Sequence, residues 1–105
     1  MTELVATQNN AHKDWVTDLG IAPVHWRRQV AAPAMVTDDD EGDLLVSVCR
    51  GGALKLWDVT GSGGFALVAQ EEAAHSKSIA ALSFNQQNLF TASADGTVRI
   101  WAITA

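Results

Sequence analysis

The sequence predicts an all-β chain in which a four-stranded unit occurs about twice, and three observations support this prediction. First, Leu54–Thr60 matches Val98–Thr104 at an offset of 44 positions. Second, short apolar segments alternate along the chain with turn-forming residues such as Gly, Asn and Asp. Third, no segment keeps the roughly 3.6-residue apolar spacing of an amphipathic helix. The repeat length is that of one blade of a β-propeller, about 40–45 residues.

The N-terminal part of the chain matches the second copy at a different offset, which locates an insertion. Leu4–Ala6 pairs with Leu67–Ala69, and His12 pairs with His75, at an offset of 63 positions. The offsets of 63 and 44 differ by 19, so the first copy carries an insertion of that length within about 23–42. We therefore place the first repeat at 1–60 and the second at 61–105, as parts of an incomplete propeller.

The first five predicted strands are short apolar segments bounded by turn residues. They are predicted, in order, at Glu3–Thr7, Trp15–Ile21, Leu44–Cys49, Ala53–Val59 and Phe65–Gln70. The turns between them contain Asn9-Asn10, Gly51-Gly52 and Gly61–Gly64, and the insertion separates the second strand from the third. Glu3–Thr7 matches the outermost strand of a blade. The other strands of that blade are not among the predicted ones.

The last three strands, all within the second copy, are predicted at Ser78–Phe84, Asn88–Ser93 and Thr97–Ile103. Asp95-Gly96, between the last two, is a strong hairpin signal because both residues tolerate positive φ. The apolar residues Ile79, Leu82 and Phe84 do not alternate strictly, which predicts a β-bulge early in their strand.

Four polar residues of the second copy carry a resemblance to a known repeat family. His75, Thr91, Asp95 and Trp101 occupy the positions of the structural tetrad of WD repeats, which this copy resembles. In that family the Asp accepts a hydrogen bond from the His, the His bonds a Ser or Thr hydroxyl, and the hydroxyl accepts from the Trp indole. Such a network satisfies buried polar groups that would each be costly alone.

The first copy resembles the same family with one departure. His12, Ser47 and Trp57 match three tetrad positions, but Gly51 stands where the Asp is expected. This departure predicts a looser turn and a less tightly held His12. Trp57 is followed by Asp58, as in the dipeptide that gives the family its name.

The residues of the second tetrad also allow a catalytic interpretation, in which Thr91, His75 and Asp95 form a nucleophile, base and orienting group. The repeat spacing favours the structural interpretation. Zinc-ligand spacing is absent, and the acidic run at 38–43 lacks the register of a calcium loop. No glycine-rich phosphate loop is present. The sequence therefore predicts a protein that is not an enzyme and uses no cofactor or metal.

Composition excludes several other classes of protein. Of the 105 residues, 48% are hydrophobic and 18% are charged, which argues against a disordered tail. Seven Lys and Arg residues against twelve Asp and Glu residues argue against binding to nucleic acid or to an anionic membrane. No apolar run approaches the roughly 20 residues of a membrane span. The single cysteine, Cys49, favours a reducing, cytoplasmic setting.

Longer strings of residues narrow the resemblance to the last two blades of the C-terminal WD-repeat tail of kinesin-4-type motors. The strings that carry it are Ala11–Val16, Leu44–Arg50 with Gly52, Leu54–Trp57, Phe90–Ser93 with Asp95, and Thr97–Trp101. The resemblance covers most of residues 11–105 and implies a non-catalytic module that binds microtubules, tubulin or another protein partner at the cytoskeleton. It includes no motor domain, so it implies no ATPase activity.

Two sets of residues are candidates for partner binding. The loops on the tetrad side and the insertion on the opposite side supply Lys13, Asp14, Trp15, Arg50, Trp26 and Arg27. Trp and Arg are the residue types that dominate interface energetics. Two alternatives remain open at this stage: Trp15 packs on a neighbouring blade, and the insertion is a tolerated surface loop without function.

The repeat count raises a closure problem, because propellers need about 4–8 blades. Three solutions are open. The chain is part of a longer protein, which we favour on the sequence. Alternatively, it forms a homo-oligomer in which residues 3–8 of each copy complete the last blade of the next, with about three or four copies in a ring. In the third solution it completes the open propeller of another protein.

Overall fold

The described residues of the computed structural model, 2–23, 25–27, 42–60 and 64–102, form two antiparallel β-sheets. The strands are β1 (Val16–Ile21), β2 (Gly42–Cys49), β3 (Leu54–Thr60), β4 (Phe65–Glu71), β5 (Ile79–Phe84), β6 (Asn88–Ser93) and β7 (Val98–Ala102). Sheet 1 has the order β1-β2-β3-β4 and sheet 2 has the order β5-β6-β7. The predicted all-β propeller fragment of about two blades is confirmed.

Seven of the eight predicted strands form, and their ends move by two residues at most within the described ranges. The prediction of a strand at Glu3–Thr7 is wrong, because residues 2–8 have no regular secondary structure and are exposed. A strand at that position needs a neighbour to accept its backbone hydrogen bonds, and no described segment of the chain supplies one. The end of the last predicted strand, at Ile103, lies outside the described residues, as do 28–41 with most of the acidic run.

The two sheets share the same irregularity. The register between β5 and β6 shifts between Ile79 and Ala81, which confirms the predicted β-bulge. The register between β1 and β2 shifts between Val16 and Asp18, which are the equivalent positions of the first copy. Both copies therefore bend their first strand at the same place, as expected of repeats that share one structure.

Two glycines close equivalent turns. Gly96 lies in the predicted hairpin at φ +87°, and its N–H donates to the Ser93 carbonyl at 3.1 Å. Asp95 keeps a negative φ, so Gly96 alone adopts the left-handed conformation there. Gly52, its repeat equivalent in the first copy, has φ +88°. The Gly52 carbonyl accepts the His75 N–H at 3.1 Å, which joins the turn of sheet 1 to the loop before β5.

The core lies between the sheets. Sheet 1 contributes Val46, Val48, Leu54 and Leu56 from β2 and β3, which are buried together with Ile79 and Leu89 of sheet 2. Leu82, Phe84 and Trp101 of sheet 2 pack against this cluster. Alternate residues of paired strands share one face, so each sheet turns one apolar face toward the other.

Polar contacts also cross between the sheets, at the β1–β5 contact. The Thr17 hydroxyl donates to the Ile79 carbonyl, and the Asp18 carboxylate accepts the Leu82 N–H at 3.0 Å. These bonds fix the position of sheet 2 along β1. No helix in the described part of the chain is long and apolar enough to cross a membrane.

Candidate functional site

The structure brings the four tetrad residues of the second copy into one hydrogen-bonded chain. His75 precedes β5, Thr91 lies in β6, Asp95 lies in the β6–β7 turn and Trp101 lies in β7. His75 Nδ1 is 2.9 Å from Asp95 Oδ2, and His75 Nε2 is 2.7 Å from Thr91 Oγ1. The Trp101 indole donates to Thr91 Oγ1 at 3.0 Å. An ionised carboxylate can only accept, so Nδ1 carries the proton and Nε2 accepts from the Thr91 hydroxyl.

Asp95 is the most heavily bonded member of this network. Its Oδ1 accepts the Thr97 hydroxyl at 2.5 Å and the Thr97 N–H at 2.9 Å, and its Oδ2 also accepts the Ser76 N–H at 3.2 Å. The Thr97 hydroxyl, followed by His75, lowers the pKa of Asp95 well below its usual range. The carboxylate is therefore ionised at neutral pH and ties the β6–β7 turn to the loop before β5.

The geometry of these residues favours the structural interpretation over the catalytic one. Thr91 is 1% exposed, and its oxygen already bonds both the imidazole of His75 and the indole of Trp101. A nucleophile has to reach a substrate, and this hydroxyl is enclosed by its own partners. No group of three His, Cys, Asp or Glu side chains among the described residues is placed to hold a metal ion.

An exposed aromatic residue on the tetrad side of sheet 1 is held by two charged neighbours. Trp15 is 69% exposed, and the Arg50 guanidinium lies 4.2 Å from its ring centroid. Arg50 Nη2 is 3.0 Å from Asp14 Oδ1, which also accepts the Trp15 N–H at 2.7 Å. The Trp15 N–H, followed by Arg50, lowers the pKa of Asp14. We call Asp14, Trp15 and Arg50 the loop cluster; the exposed Lys13 precedes it.

The insertion residues Trp26 and Arg27 are buried, which argues against their predicted role in partner binding. A helical turn at 25–27 packs Trp26 edge-on against Phe84, with the indole donating to the Gln86 carbonyl at 3.0 Å. Trp26 is only 1% exposed. Arg27 Nε is 2.5 Å from Asp58 Oδ1, and both side chains are buried. Packing of the Trp26 ring and the ion pair between Arg27 and Asp58 hold the start of the insertion against the sheets. The side chains of Trp26 and Arg27 are therefore not available to a partner.

Residues 69–102 match the family described as WD domain, G-beta repeat. This part of the chain is a WD repeat. The human kinesin-like protein KIF21A is 35% identical over 99 residues, which is 94% of this chain and 5% of that relative. The Caenorhabditis elegans kinesin-like protein klp-12 is 40% identical over 63 residues, 60% of this chain and 4% of the relative. Human KIF21B is 32% identical over 99 residues. The chain thus spans about 5% of the length of the two human relatives.

Compared with the WD repeat of sheet 2, the network of sheet 1 lacks one member. His12 Nε2 is 2.7 Å from Ser47 Oγ, which accepts the Trp57 indole N–H at 2.8 Å. Gly51 replaces the aspartate, and within the described chain the buried His12 Nδ1 has no hydrogen-bond partner. Burial, followed by the charge of Lys55, lowers the pKa of His12. The first histidine is therefore neutral and held from one side only.

The structure adds one pair of positioning residues that the sequence analysis missed. Lys55 Nζ donates to the Ala11 carbonyl, and Arg99 Nη1 donates to the Ala74 carbonyl, both at 2.8 Å. The two cations match at the shorter repeat offset and their acceptors at the longer one, as the alignment of the copies requires. Each cation holds the residue before the histidine of its network. The positive charge shared by equivalent third-strand positions was the signal for this role.

Proposed function

We propose that the chain is a non-catalytic protein-interaction module that binds its partner through the loop cluster and Lys13. The WD repeat supports the general class, and the loop cluster carries the specific proposal. Trp15 offers a large apolar surface to solvent, yet its ring is already oriented by the Arg50 guanidinium. A side chain ordered before binding loses less conformational entropy on binding, which favours its use as an anchor.

Comparison of the loop cluster with the equivalent positions of the second copy supports this interpretation. The second WD repeat carries Ser76, Lys77, Ser78 and Ala94 at the positions of Lys13, Asp14, Trp15 and Arg50. It therefore lacks both the ring and the guanidinium, so the fold itself does not require them. Trp and Arg are also the types that most often dominate binding energy at interfaces. An exposed Trp with a stacked Arg at a position that tolerates Ser and Ala supports a binding role.

For the partner, we propose an acidic protein surface, and microtubules in particular. The site carries two cations, Lys13 and Arg50, and one carboxylate, Asp14, in a chain whose net charge is −5. The local charge is thus opposite in sign to that of the whole chain, and it complements the acidic surface of tubulin. The similarity to kinesin-like proteins supports this choice. The proposal includes a cytoplasmic, cytoskeleton-associated location and no role for nucleic acid or membrane.

Co-sedimentation with microtubules tests the proposal. We expect Trp15→Ala and Arg50→Ala to weaken binding by roughly 30-fold each, the effect of losing about 2 kcal/mol at an interface hot spot. The matched control is Ser76→Ala/Lys77→Ala, which alters the same loop of the second WD repeat and should leave binding unchanged. Circular dichroism should show all variants folded, since the altered side chains are exposed. Equal binding by folded wild-type and Trp15→Ala protein would refute the assignment.

A further inference from the structure

We propose that copies of this chain associate head to tail, with the outer face of sheet 2 of one copy on the outer face of sheet 1 of the next. In the same contact, residues 2–8 of the second copy add as a strand to the open edge of β7. The partner of each open surface is thus a second copy of this chain. This proposal does not depend on the proposed function.

The contact between the sheets within one chain is the template for this proposal. On one side, Val46, Val48, Leu54 and Leu56 form a continuous apolar face of sheet 1, and all four are buried. On the other side, the residues of sheet 2 that cover this face include Leu82, Phe84 and Leu89. The chain therefore shows directly what kind of surface packs on each of these two faces.

The outer face of sheet 2 is the repeat of the face that sheet 1 buries. The shorter repeat offset converts the four residues of the sheet 1 face into Phe90, Ala92, Val98 and Ile100. The strand register places Phe90 opposite Ile100 and Ala92 opposite Val98, so these four also share one face. Val98 is 70% exposed and Ile100 is 65% exposed. The apolar surface is present in the second copy, but the described residues leave Val98 and Ile100 of it largely uncovered.

The outer face of sheet 1 is the repeat of the surface that provides such a cover within one chain. Leu19, Ile21 and Leu45 are the equivalents of Leu82, Phe84 and Leu89 of sheet 2. Ile21 is paired with Leu45 in the sheet, and Leu19 lies two residues before it on the same side. Leu19 is 58% exposed and Ile21 is 62% exposed. One chain therefore displays both halves of an interface that it also forms internally, and exposed apolar surfaces of this kind mark interaction sites.

The unpaired N-terminal segment fits the same contact. Residues 2–8 are the repeat equivalent of β4, which is the fourth strand of sheet 1. Sheet 2 has three strands, and nothing in the described chain pairs with the outer edge of β7. The segment 9–15 that connects 2–8 to β1 is as long as the segment 72–78 that connects β4 to β5. Residues 2–8 of the next copy therefore have the reach to occupy on β7 the place that β4 occupies on β3.

A polar contact between the two sheets of one chain also predicts an equivalent contact between copies. Gly52 approaches the His75 carbonyl so closely that a Cβ on it would collide, and its own carbonyl accepts the His75 N–H. Gly96 has the same positive φ, yet apart from its chain neighbours no described residue would come within 4 Å of a Cβ at this position. The repeat places His12 of the next copy there. The open space beside Gly96 is thus the site that the loop before β1 of the next copy would fill.

The proposed interface is heterologous, because each copy uses two different faces. Such contacts form a closed ring or an open chain of copies. Each copy supplies two sheets, so closed rings of about two to four copies match the 4–8 blades of known propellers. A contact between two different faces can be distinguished from non-specific apolar association. If one variant has its sheet 1 face blocked and another has its sheet 2 face blocked, the two variants can still form one contact with each other.

The test uses two double variants and their mixture, with masses from analytical ultracentrifugation. Leu19→Glu/Ile21→Glu blocks the outer face of sheet 1, and Val98→Glu/Ile100→Glu blocks that of sheet 2. All four side chains are exposed, so both variants should fold like the wild type by circular dichroism. We expect the wild type to sediment as a multiple of the monomer, each variant alone as a monomer, and their equimolar mixture as a dimer. The control Gln86→Glu/Gln87→Glu adds the same charge outside both faces and should assemble normally.

The proposal is overturned by a monomeric wild type, by either face variant that still assembles, or by a mixture that stays monomeric. Gly96→Asn provides a second, milder probe, because Asn tolerates positive φ but fills the space proposed for His12. We expect it to weaken assembly at least tenfold and to leave the melting of the monomer nearly unchanged. The monomeric face variants keep the loop cluster, so microtubule co-sedimentation with them tests the proposed function independently of assembly.

Discussion

Replacement of Gly51 by aspartate should stabilise the chain, because it completes the network of sheet 1. Gly51 is the repeat equivalent of Asp95, and the His12 Nδ1 that an aspartate would bond is buried without a partner in the described structure. A Cβ at Gly51 would lie 3.6 Å from its nearest neighbours, Asp14 Cβ and Cys49 Sγ, which is ordinary contact. Gly51 also lacks the positive φ of Gly52, so an aspartate is accommodated without backbone strain.

The expected gain follows from opposing contributions. A buried donor without a partner costs about 1–3 kcal/mol, and replacing a glycine removes roughly 0.4–1 kcal/mol of unfolded-state entropy. Against this, Asp14 Oδ2 would lie 3.9 Å from the new Cβ, and Ala53 supplies no hydroxyl where Thr97 supports Asp95. We expect a net gain of about 1–2 kcal/mol, which raises the Tm of a domain of this size by roughly 4–8 °C per kcal/mol.

The same substitution should change the pH dependence of stability. Burial holds the pKa of His12 below its usual value of 6.5 in the folded protein, so the unfolded chain binds the proton more readily. The wild type therefore loses stability as the pH falls below about 6.5. A carboxylate at position 51 stabilises the imidazolium and raises that pKa, so the advantage of Gly51→Asp should be larger at about pH 5.5 than at about pH 7.5.

Urea denaturation followed by circular dichroism, at both pH values, measures these effects. Gly51→Ala is the control, because it shares the loss of backbone freedom but offers no acceptor to His12. If Gly51→Asp is no more stable than Gly51→Ala at either pH, the reasoning from the incomplete network fails. A gain that is equal at both pH values would show that His12 is not the group that the carboxylate contacts.

Two further predictions concern the turns and the insertion. Gly96→Ala should cost roughly 1–2 kcal/mol for its positive φ alone, whereas Gly52→Ala should cost more in the same denaturation assay because its methyl group also meets the His75 carbonyl; equal losses would contradict the close approach. Arg27→Ala should cost about 3–5 kcal/mol because it leaves the buried Asp58 without this guanidinium. The Arg27→Ala/Asp58→Asn variant should recover part of that loss, and a full loss in both would show that the guanidinium acts by packing alone.

The sequence was most informative where a strand finds its partner nearby in the chain. Sheet 2 and the bulge at Ile79 could be predicted because apolar spacing and turn residues act locally. The strand at Glu3–Thr7 could not, because the same apolar pattern forms a strand only when a neighbouring edge is available. Its match to β4 identified a segment with strand character, and the described fold supplies nothing for it to pair with.

The residues of the candidate site also divide into those that the sequence could predict and those that it could not. The positions of His75 and Asp95 follow from the repeat offsets, and the structure brings the two side chains to 2.9 Å. The fate of Trp15 and Trp26 depends on where distant segments lie, and local sequence treats the two residues alike. Trp26 packs against Phe84, which is remote in the chain, and is buried, whereas Trp15 stacks with Arg50 and remains exposed.

The polar contacts of Thr17 and Asp18 have a consequence for the order in which such an assembly would come apart. These two side chains bond β5 within the chain, but their repeat equivalents in sheet 2 are Ala80 and Ala81, which have no side-chain donor or acceptor. The junction between copies would rest on apolar packing and backbone pairing, while the junction within a copy has additional hydrogen bonds. On dilution or under mechanical load, the assembly would therefore open between copies first, and subunits would exchange as intact pairs of sheets.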